Sequence, residues 1–185
     1  MCPDSADIGD GQRVRMPVIL FVCFAVAPLY PALARSARTT SLDNLKPLVA
    51  DLLPDAIQTR RSLEETFAVR MEPDSGTPAF ATFRAEDIEI HNVHVDEIVY
   101  RAPRPGVEVT AGPIVELRLP REPCFDKGEV VGAYPALATG SAPPPEDSDP
   151  TQYYRIENSG AVLSMGFPAN GPHCLRSIVF SIREP

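Results

Sequence analysis

The sequence predicts an α+β fold in which short N-terminal helices precede an antiparallel sheet and one disulfide crosslinks the chain. First, the spacing of apolar residues changes from helical to alternating near residue 80. Second, Pro makes up 21 of the 185 residues, which favours short elements because Pro ends helices and is excluded from central strands. Third, two cysteines, Cys124 and Cys174, follow an N-terminal segment that looks like an export signal.

Residues 1–34 resemble a secretory signal peptide with an atypical leader. Arg13 and Arg15 supply its basic part, an apolar stretch follows, and a small-x-small cleavage sequence ends at Ala34. The residues that precede Arg13 are acidic, which departs from the usual pattern. We expect cleavage near Ala34 and a periplasmic or secreted mature chain. The alternative is an inner-membrane anchor, because residues 16–33 are about long enough to span a bilayer, and the leader would then be the chain's only link to a membrane.

The cysteine count predicts a single disulfide in the mature chain. If the leader is removed, Cys2 and Cys23 leave with it, and Cys124 and Cys174 remain. Their bond would close a loop of about 50 residues, which the chain-entropy model converts to roughly 4 kcal/mol of stability. The Pro-rich acidic loop at residues 136–152 lies inside that loop and is too polar to form a core of its own. We therefore interpret the bond as structural.

Two helices are predicted before the sheet. The N-terminal helical segment, residues 35–58, has apolar residues at helical spacing, with Pro47 in a first turn and Pro54 as a stop: Leu45, Leu48, Val49, Leu52 and Leu53. The α+β domain, residues 59–185, begins with a second helix at residues 61–71. Ser62 and Glu65 have the spacing of a capping box at its start.

Alternating apolar residues then predict strands in both halves of the domain. The inward positions of these strands are Ile88, Ile90, Val93, Val95, Val115, Leu117, Leu119, Leu163, Met165, Phe167, Ile178, Phe180 and Ile182. Between the two sets, Asp126 and Glu129 predict the start of a third short helix that runs to Tyr134. Gly160 fits a hairpin loop that needs a positive φ.

The element order predicts two degenerate units, residues 59–120 and 121–185, each a helix followed by three strands. With the segments GAVLSMGF and CLRSIVF, this order resembles the small bacterial envelope proteins of the β-lactamase-inhibitor-protein-like and outer-membrane-assembly small-lipoprotein families. The resemblance covers about residues 60–183. It implies protein binding through an exposed sheet face and no catalysis. The chain departs from those families by its Pro-rich insertion and by lacking an acceptable lipidation cysteine.

The charge balance limits the partners that the chain can have. A net charge of -8 argues against nonspecific nucleic-acid binding, which needs a basic surface, and is compatible with a basic protein partner. Of the neighbours Tyr153 and Tyr154, alternation turns one to the core and one outward. The candidate protein-binding residues are the acids of the predicted strands and the first of these tyrosines: Glu86, Asp87, Glu89, Asp96, Glu97 and Tyr153.

No motif predicts a catalytic or cofactor site. His91 and His94 form the most ligand-like cluster with the nearby acids, but in a continuous strand positions 91 and 94 point to opposite faces. Only a turn at Asn92 would bring them together, so we predict no metal site. His173 is adjacent to Cys174 and faces away from it in a strand, which is wrong for a Cys–His pair. Phosphate-loop, nucleophile-elbow and dinucleotide motifs are absent from the sequence.

These observations favour an exported, non-enzymatic protein-binding module in the cell envelope. In its sharpest form it is an inhibitor or immunity protein that neutralises a basic envelope enzyme. One alternative is an envelope-assembly or scaffold component, which would form a stable complex with a membrane protein. A second alternative is a periplasmic hydrolase with an unrecognised site, which would need a pocket of carboxylates or histidines with strongly shifted pKa values.

Overall fold

A computed structural model describes residues 41–52, 54–108, 111–140, 150–158 and 160–183. The predicted signal peptide lies outside the described residues, as do residues 141–149 of the Pro-rich loop. Across these described ranges, no helix is long and apolar enough to cross a membrane.

The described chain contains short helices and a larger number of strands. The helices are α1 (Leu42–Ala50), α2 (Pro54–Ile57), α3 (Arg60–Phe67) and α4 (Lys127–Ala133). The strands before α4 are β1 (Glu72–Asp74), β2 (Phe80–Ile90), β3 (Val93–Pro103) and β4 (Ala111–Arg118). Those after α4 are β5 (Ala138–Thr139), β6 (Thr151–Asn158), β7 (Ala161–Pro168) and β8 (Ser177–Arg183). The predicted α+β class is confirmed, with the sheet predominating.

All the strands form one antiparallel sheet in the order β1-β2-β3-β4-β8-β7-β6-β5. Strands β4 and β8 pair in the middle, where Leu117 lies opposite Ile178. The sheet therefore continues without a break between the two halves of the sequence. The short outermost strands β1 and β5 were not predicted. The division into two helix-plus-three-strand units stays a prediction.

One face of the sheet packs against the helices and forms the core. The inward residues predicted for β4, β7 and β8 lie in this core or, for Leu163 and Ile182, pack against it, as alternation requires when only one sheet face is covered. From the helices come Leu45, Leu48, Leu63, Phe67 and Val130, all of them buried. Burial of each such large side chain stabilises the fold by about 1.5–3 kcal/mol.

The start of α3 differs from the prediction. Helix α3 begins at Arg60, so its N-cap is Thr59, whose hydroxyl accepts a hydrogen bond from the Ser62 amide at 3.1 Å. The Thr59 amide donates in return to the Ser62 hydroxyl at 3.2 Å. The predicted Ser62–Glu65 capping box is wrong, because Ser62 lies inside the helix and Glu65 pairs with Arg61 at 2.8 Å instead.

Two helix boundaries also differ from the prediction. Helix α3 ends at Phe67 rather than at residue 71, because Ala68 adopts a left-handed conformation with a φ of 52°. Helix α1 begins at Leu42, so Pro47 lies inside the helix and not in its first turn. Pro54 does not simply end the segment, since it is the first residue of α2.

The predicted disulfide between Cys124 and Cys174 is confirmed. It joins the segment before α4 to the segment before β8. Backbone hydrogen bonds surround it, from the Lys127 amide to the His173 carbonyl and from the Leu175 amide to the Phe125 carbonyl, both at 2.9 Å. The N-cap of α4 is Asp126 as predicted, and its carboxylate accepts from the backbone of the first helical turn.

Candidate functional site

The side chains of the sheet that point away from the core form what we call the outer face. In β4 the outer positions are Ile114, Glu116 and Arg118, which alternate with the buried Val115 and Leu117. Alternation along the paired strands places side chains of β2, β3, β6, β7 and β8 on this same face. Because the core covers the opposite face, the outer face is the part of the sheet that can meet a partner.

A local break in alternation concentrates acidic residues on this face. In β2 the core positions change from Phe83 and Ala85 to Ile88 and Ile90, and Asp87 between them has a φ of 54°. The paired strand β3 changes in the same place, from Val95 to Ile98. Two consecutive residues of each strand therefore lie outside the apolar core, namely Glu86 with Asp87 and Asp96 with Glu97. This break brings four of the predicted binding acids to one region.

Glu97 is the centre of a row of ion pairs across the first four strands. Its carboxylate accepts hydrogen bonds from Arg84 on β2 and from Arg118 on β4, the latter at 2.6 Å. The row continues in both directions with alternating charge: Asp74, Arg84, Glu97, Arg118, Glu116 and Arg101. Its acids and arginines balance in number, so the row carries no net charge. The Glu97 side chain is only 11% exposed, so this candidate binding residue is occupied by contacts within the protein.

The pKa shifts in this row follow its hydrogen bonds. The pKa of Asp74 is lowered, chiefly by the hydrogen bond from Arg84. The pKa of Arg84 is raised by its bonds to Asp74 and Glu97, and the pKa of Arg118 is raised chiefly by its bond to Glu116. Neighbouring charges thus stabilise one another, and the arginine side chains are held in fixed positions on the outer face.

The other candidate acids are exposed. Glu86, Asp87, Glu89 and Asp96 all lie at the surface, and Glu86 is opposite Glu97 in the strand register. The ring of His94 lies between two of them, with Nε2 at 3.6 Å from Asp87 and 3.5 Å from Asp96. The structure therefore separates the predicted set into exposed carboxylates and one buried, ion-paired carboxylate.

His91 and Asn92 form a turn rather than part of a continuous strand. Their φ values of 51° and 59° fit the two-residue hairpin turn that joins β2 to β3. The ring of His91 lies 2.6 Å from the carboxylate of Asp51, just beyond α1. His94 contacts different acids, so the two histidines do not share a ligand. In the part of the chain that the structure describes, no group of three or more His, Cys, Asp or Glu side chains is arranged to hold a metal ion.

Tyr153 lies on the outer face, whereas Tyr154 packs on the core side, as alternation predicts. The Tyr154 ring meets Phe167 edge to face at 5.7 Å and lies beneath the Lys127 ammonium. The Tyr153 ring lies over Gly166, where an added Cβ would come within 2.9 Å of Cε1 of the ring. Gly166 therefore lets the tyrosine lie close against the sheet.

An open cavity of about 340 Å³ brings three of the predicted residues together. Its walls include Asp96, Glu97, Arg118, Tyr153, Arg176 and Ser177. The remaining candidates, Glu86, Asp87 and Glu89, do not line this cavity. The arginines of this cavity were not among the predicted binding residues, although alternation already indicates that Arg118 points outward. The cavity offers charged and aromatic groups suited to recognition, and its carboxylate Glu97 is engaged by arginines.

Comparison with known proteins gives no match: no protein-family model, no curated protein and no solved structure matches the chain. The resemblance to the small envelope proteins stays an expectation. A function is therefore inferred from the geometry of the outer face.

Proposed function

We propose that the mature chain is an exported, non-enzymatic protein that binds another protein in the cell envelope through the outer face. The observation that carries this proposal is the combination, on one sheet face, of a neutral row of ion pairs with exposed carboxylates and Tyr153 beside it. Such a surface offers fixed arginine donors, a rigid aromatic group and exposed negative charge. Arginine and aromatic side chains are enriched at protein interfaces, and exposed charges steer the approach of a partner.

The ion-pair row makes this surface well suited to binding. Long arginine side chains lose conformational freedom when they enter an interface, and this loss weakens binding. Arg84 and Arg118 are already held by Glu97 in the free protein. Ordering the two arginine side chains for a partner therefore costs less conformational entropy. Glu97 acts in this proposal by holding the two arginines and not by touching the partner.

The exposed acids favour a basic partner. Glu86, Asp87 and Asp96 lie together at the surface, and the whole chain has a net charge of -8. A local negative potential of this kind speeds the encounter with a positively charged protein and excludes negatively charged ones. The partner that fits best is a basic envelope enzyme, for which the chain would be an inhibitor or immunity protein.

The strand order supports the finer prediction of two related units. Starting from either edge of the sheet, the strands follow chain order inward, β1 to β4 from one side and β5 to β8 from the other. Each set follows a helix, α3 or α4. We propose that the domain consists of two such units joined at β4 and β8, each with four strands instead of the three predicted. A continuous outer face across both units would then be the binding surface.

The test is a crosslinked pull-down from bacterial periplasm with tagged residues 35–185. The variant E86K/D87K/D96K reverses the exposed charges, and we expect it to bind the retained partner at least about tenfold more weakly, with the loss mostly in the association rate at low salt. The control D43K/E65K/E129K makes the same change of charge at exposed helix positions. Binding by the control should remain within about twofold of the unmodified chain.

The identity of the retained protein decides between the functional classes. A soluble basic enzyme that the chain inhibits would support the proposal. Recovery of integral membrane proteins would favour an envelope-assembly component instead. Unchanged binding by the outer-face variant, with thermal unfolding showing that it is folded, would refute binding through these acids.

A further inference from the structure

A second, smaller cavity of about 210 Å³ lies beside the disulfide. It is lined by Arg121, Pro168, Asn170, Pro172, Cys174 and Arg176. Arg176 also lines the cavity on the outer face. The residues that line the smaller cavity are therefore two arginines and one asparagine, together with two prolines and a half-cystine.

The charge of this cavity is not compensated by the residues around it. No Asp or Glu is among its lining residues. Most arginines elsewhere in the described chain lie within 4.0 Å of a carboxylate: Arg60, Arg61, Arg70, Arg84, Arg101 and Arg118. Arg121 and Arg176 form no ion pair with any residue that the structure describes. In a chain with a net charge of -8, this local positive charge is unusual.

One nitrogen of Arg176 points to a missing acceptor. Its Nη1 atom is buried and has no hydrogen-bond partner among the described residues. A buried donor without an acceptor is costly, above all on a charged group, and in native proteins such donors are usually satisfied. The backbone of Arg176 is fixed on both sides, because its amide donates to Gly166 at 2.9 Å and its carbonyl accepts from Leu119 at 2.8 Å. The guanidinium group is thus anchored at its base with an unused donor.

We propose that Arg121 and Arg176 form a carboxylate-binding pocket beside the disulfide. A carboxylate accepts two parallel hydrogen bonds from a guanidinium group, and this bidentate pairing is among the strongest that side chains make. The amide of Asn170 supplies a further donor beside the two arginines. The carboxylate comes either from a small organic acid or from an acidic side chain of a protein, because the small volume admits little more than such a group.

This inference does not depend on the proposed function, because it is tested with the purified chain and simple ligands. The isotope-labelled mature chain is titrated with succinate and, separately, with an amide-capped pentapeptide containing a single Glu. Binding is followed through the arginine Nε–Hε signals in nitrogen-edited spectra. We expect saturable shifts at Arg176 and Arg121. The distant Arg70 should not respond.

Matched variants test the assignment to these two arginines. We expect R121Q and R176Q each to weaken binding at least about tenfold, since each removes a charge-assisted pairing. The control R70Q removes a guanidinium group that is 89% exposed, and it should bind like the unmodified chain. Arg121 is exposed, so R121Q keeps the test valid even if R176Q fails to fold.

The two ligands distinguish the sources of the carboxylate. Saturation by succinate would support the pocket and identify a small organic acid as a sufficient ligand. Saturation by the Glu peptide alone would support the pocket as a site for a protein side chain. The proposal is overturned if neither ligand gives a saturable shift, or if R121Q and R176Q bind as well as R70Q.

Discussion

Glu97 has a different role in the structure from the one that its position in the sequence suggests. As one of several acids on a predicted strand, it looks exposed and available. In the fold it is buried between Arg84 and Arg118, whereas its cross-strand partner Glu86 is exposed. The two acids have the same chemistry but opposite surroundings, which makes them a matched pair for substitution.

We expect E97Q to lower the free energy of unfolding by about 2 kcal/mol, because it leaves two guanidinium groups close together without their shared anion. The repulsion between Arg84 and Arg118 already opposes the raised pKa of Arg118. We expect E86Q to change stability by no more than about 0.5 kcal/mol. Urea unfolding at low salt measures both variants. Equal effects of E97Q and E86Q would contradict the assigned role of the ion-pair row.

Two tyrosines on the core side differ in how their hydroxyls are satisfied. The Tyr100 hydroxyl donates to the Gln58 carbonyl at 3.2 Å. The Tyr134 hydroxyl is buried and has no partner among the described residues. Burial raises the pKa of both phenols above the usual 10.0. Above pH 10 the unfolded chain therefore releases these protons before the folded chain does, and stability falls as pH rises.

We expect Y134F to leave stability at pH 7 unchanged or raise it by up to about 1 kcal/mol, because no hydrogen bond is lost. The same variant should lose less stability than the unmodified chain between neutral pH and pH values above 10. Y100F is the control, since it removes a hydrogen bond and should cost about 1 kcal/mol at pH 7. Chemical unfolding at a series of pH values measures both effects. A clear loss of stability in Y134F at pH 7 would contradict the missing partner.

At the scale of elements, alternation predicted the inward faces of β4, β7 and β8 correctly. These strands cross the middle of the sheet, where one face meets the helices. The period of two is unbroken through the predicted positions, because the register shift in β4 lies before them, between Ala111 and Ile114. Prediction failed where local sequence does not determine conformation. The left-handed φ of Asp87 falls at a gap in the β2–β3 pairing, between Glu86 and Ile88, and the capping role of Thr59 depends on where α3 begins. The strands β1 and β5 are too short to show a pattern.

Two glycines test the packing of a strand and of a helix. A Cβ at Gly166 in β7 would overlap the Ser177 hydroxyl oxygen and lie 2.8 Å from Thr151 Cγ2, whereas a Cβ at Gly132 in α4 would meet nothing within 4 Å. We expect G166A to destabilise by about 1–3 kcal/mol through overpacking. We expect G132A to stabilise by about 0.5–1 kcal/mol, because Ala favours the helix. Thermal unfolding measures both, and equal shifts of the two midpoints would contradict this packing.

At the scale of the whole molecule, the candidate site was only partly predictable. The exposed acids and Tyr153 follow from alternation along single strands. The pairing of Glu97 with Arg118 requires knowing that β3 and β4 are neighbours in a register that places these residues opposite each other. The cavity beside the disulfide requires Arg121 and Arg176 to meet from distant positions. The disulfide itself was predictable because only two cysteines remain after residue 34.

Removing the disulfide should weaken the whole fold. We expect C124S/C174S to lower the free energy of unfolding by about 2–4 kcal/mol, because the unfolded chain gains the freedom of a loop of 50 residues. Urea unfolding of the variant measures this loss, and the unmodified chain with a reducing agent provides an independent control. A midpoint equal to that of the oxidised chain would show that the bond contributes no stability.

The position of the disulfide also bears on how fast the chain can fold. The other strand pairs join segments that are close in sequence, but β4 and β8 bring together residues roughly 60 positions apart, and the search for such a distant contact slows folding. Cys124 follows β4 and Cys174 precedes β8. Once they are joined, the path between the two strands shrinks to residues 119–124 and 174–176, a length closer to that of a hairpin connection. Formation of the disulfide thus converts the most distant strand pairing of the sheet into a local one. Strands β4 and β8 can then pair about as fast as the two strands of a hairpin.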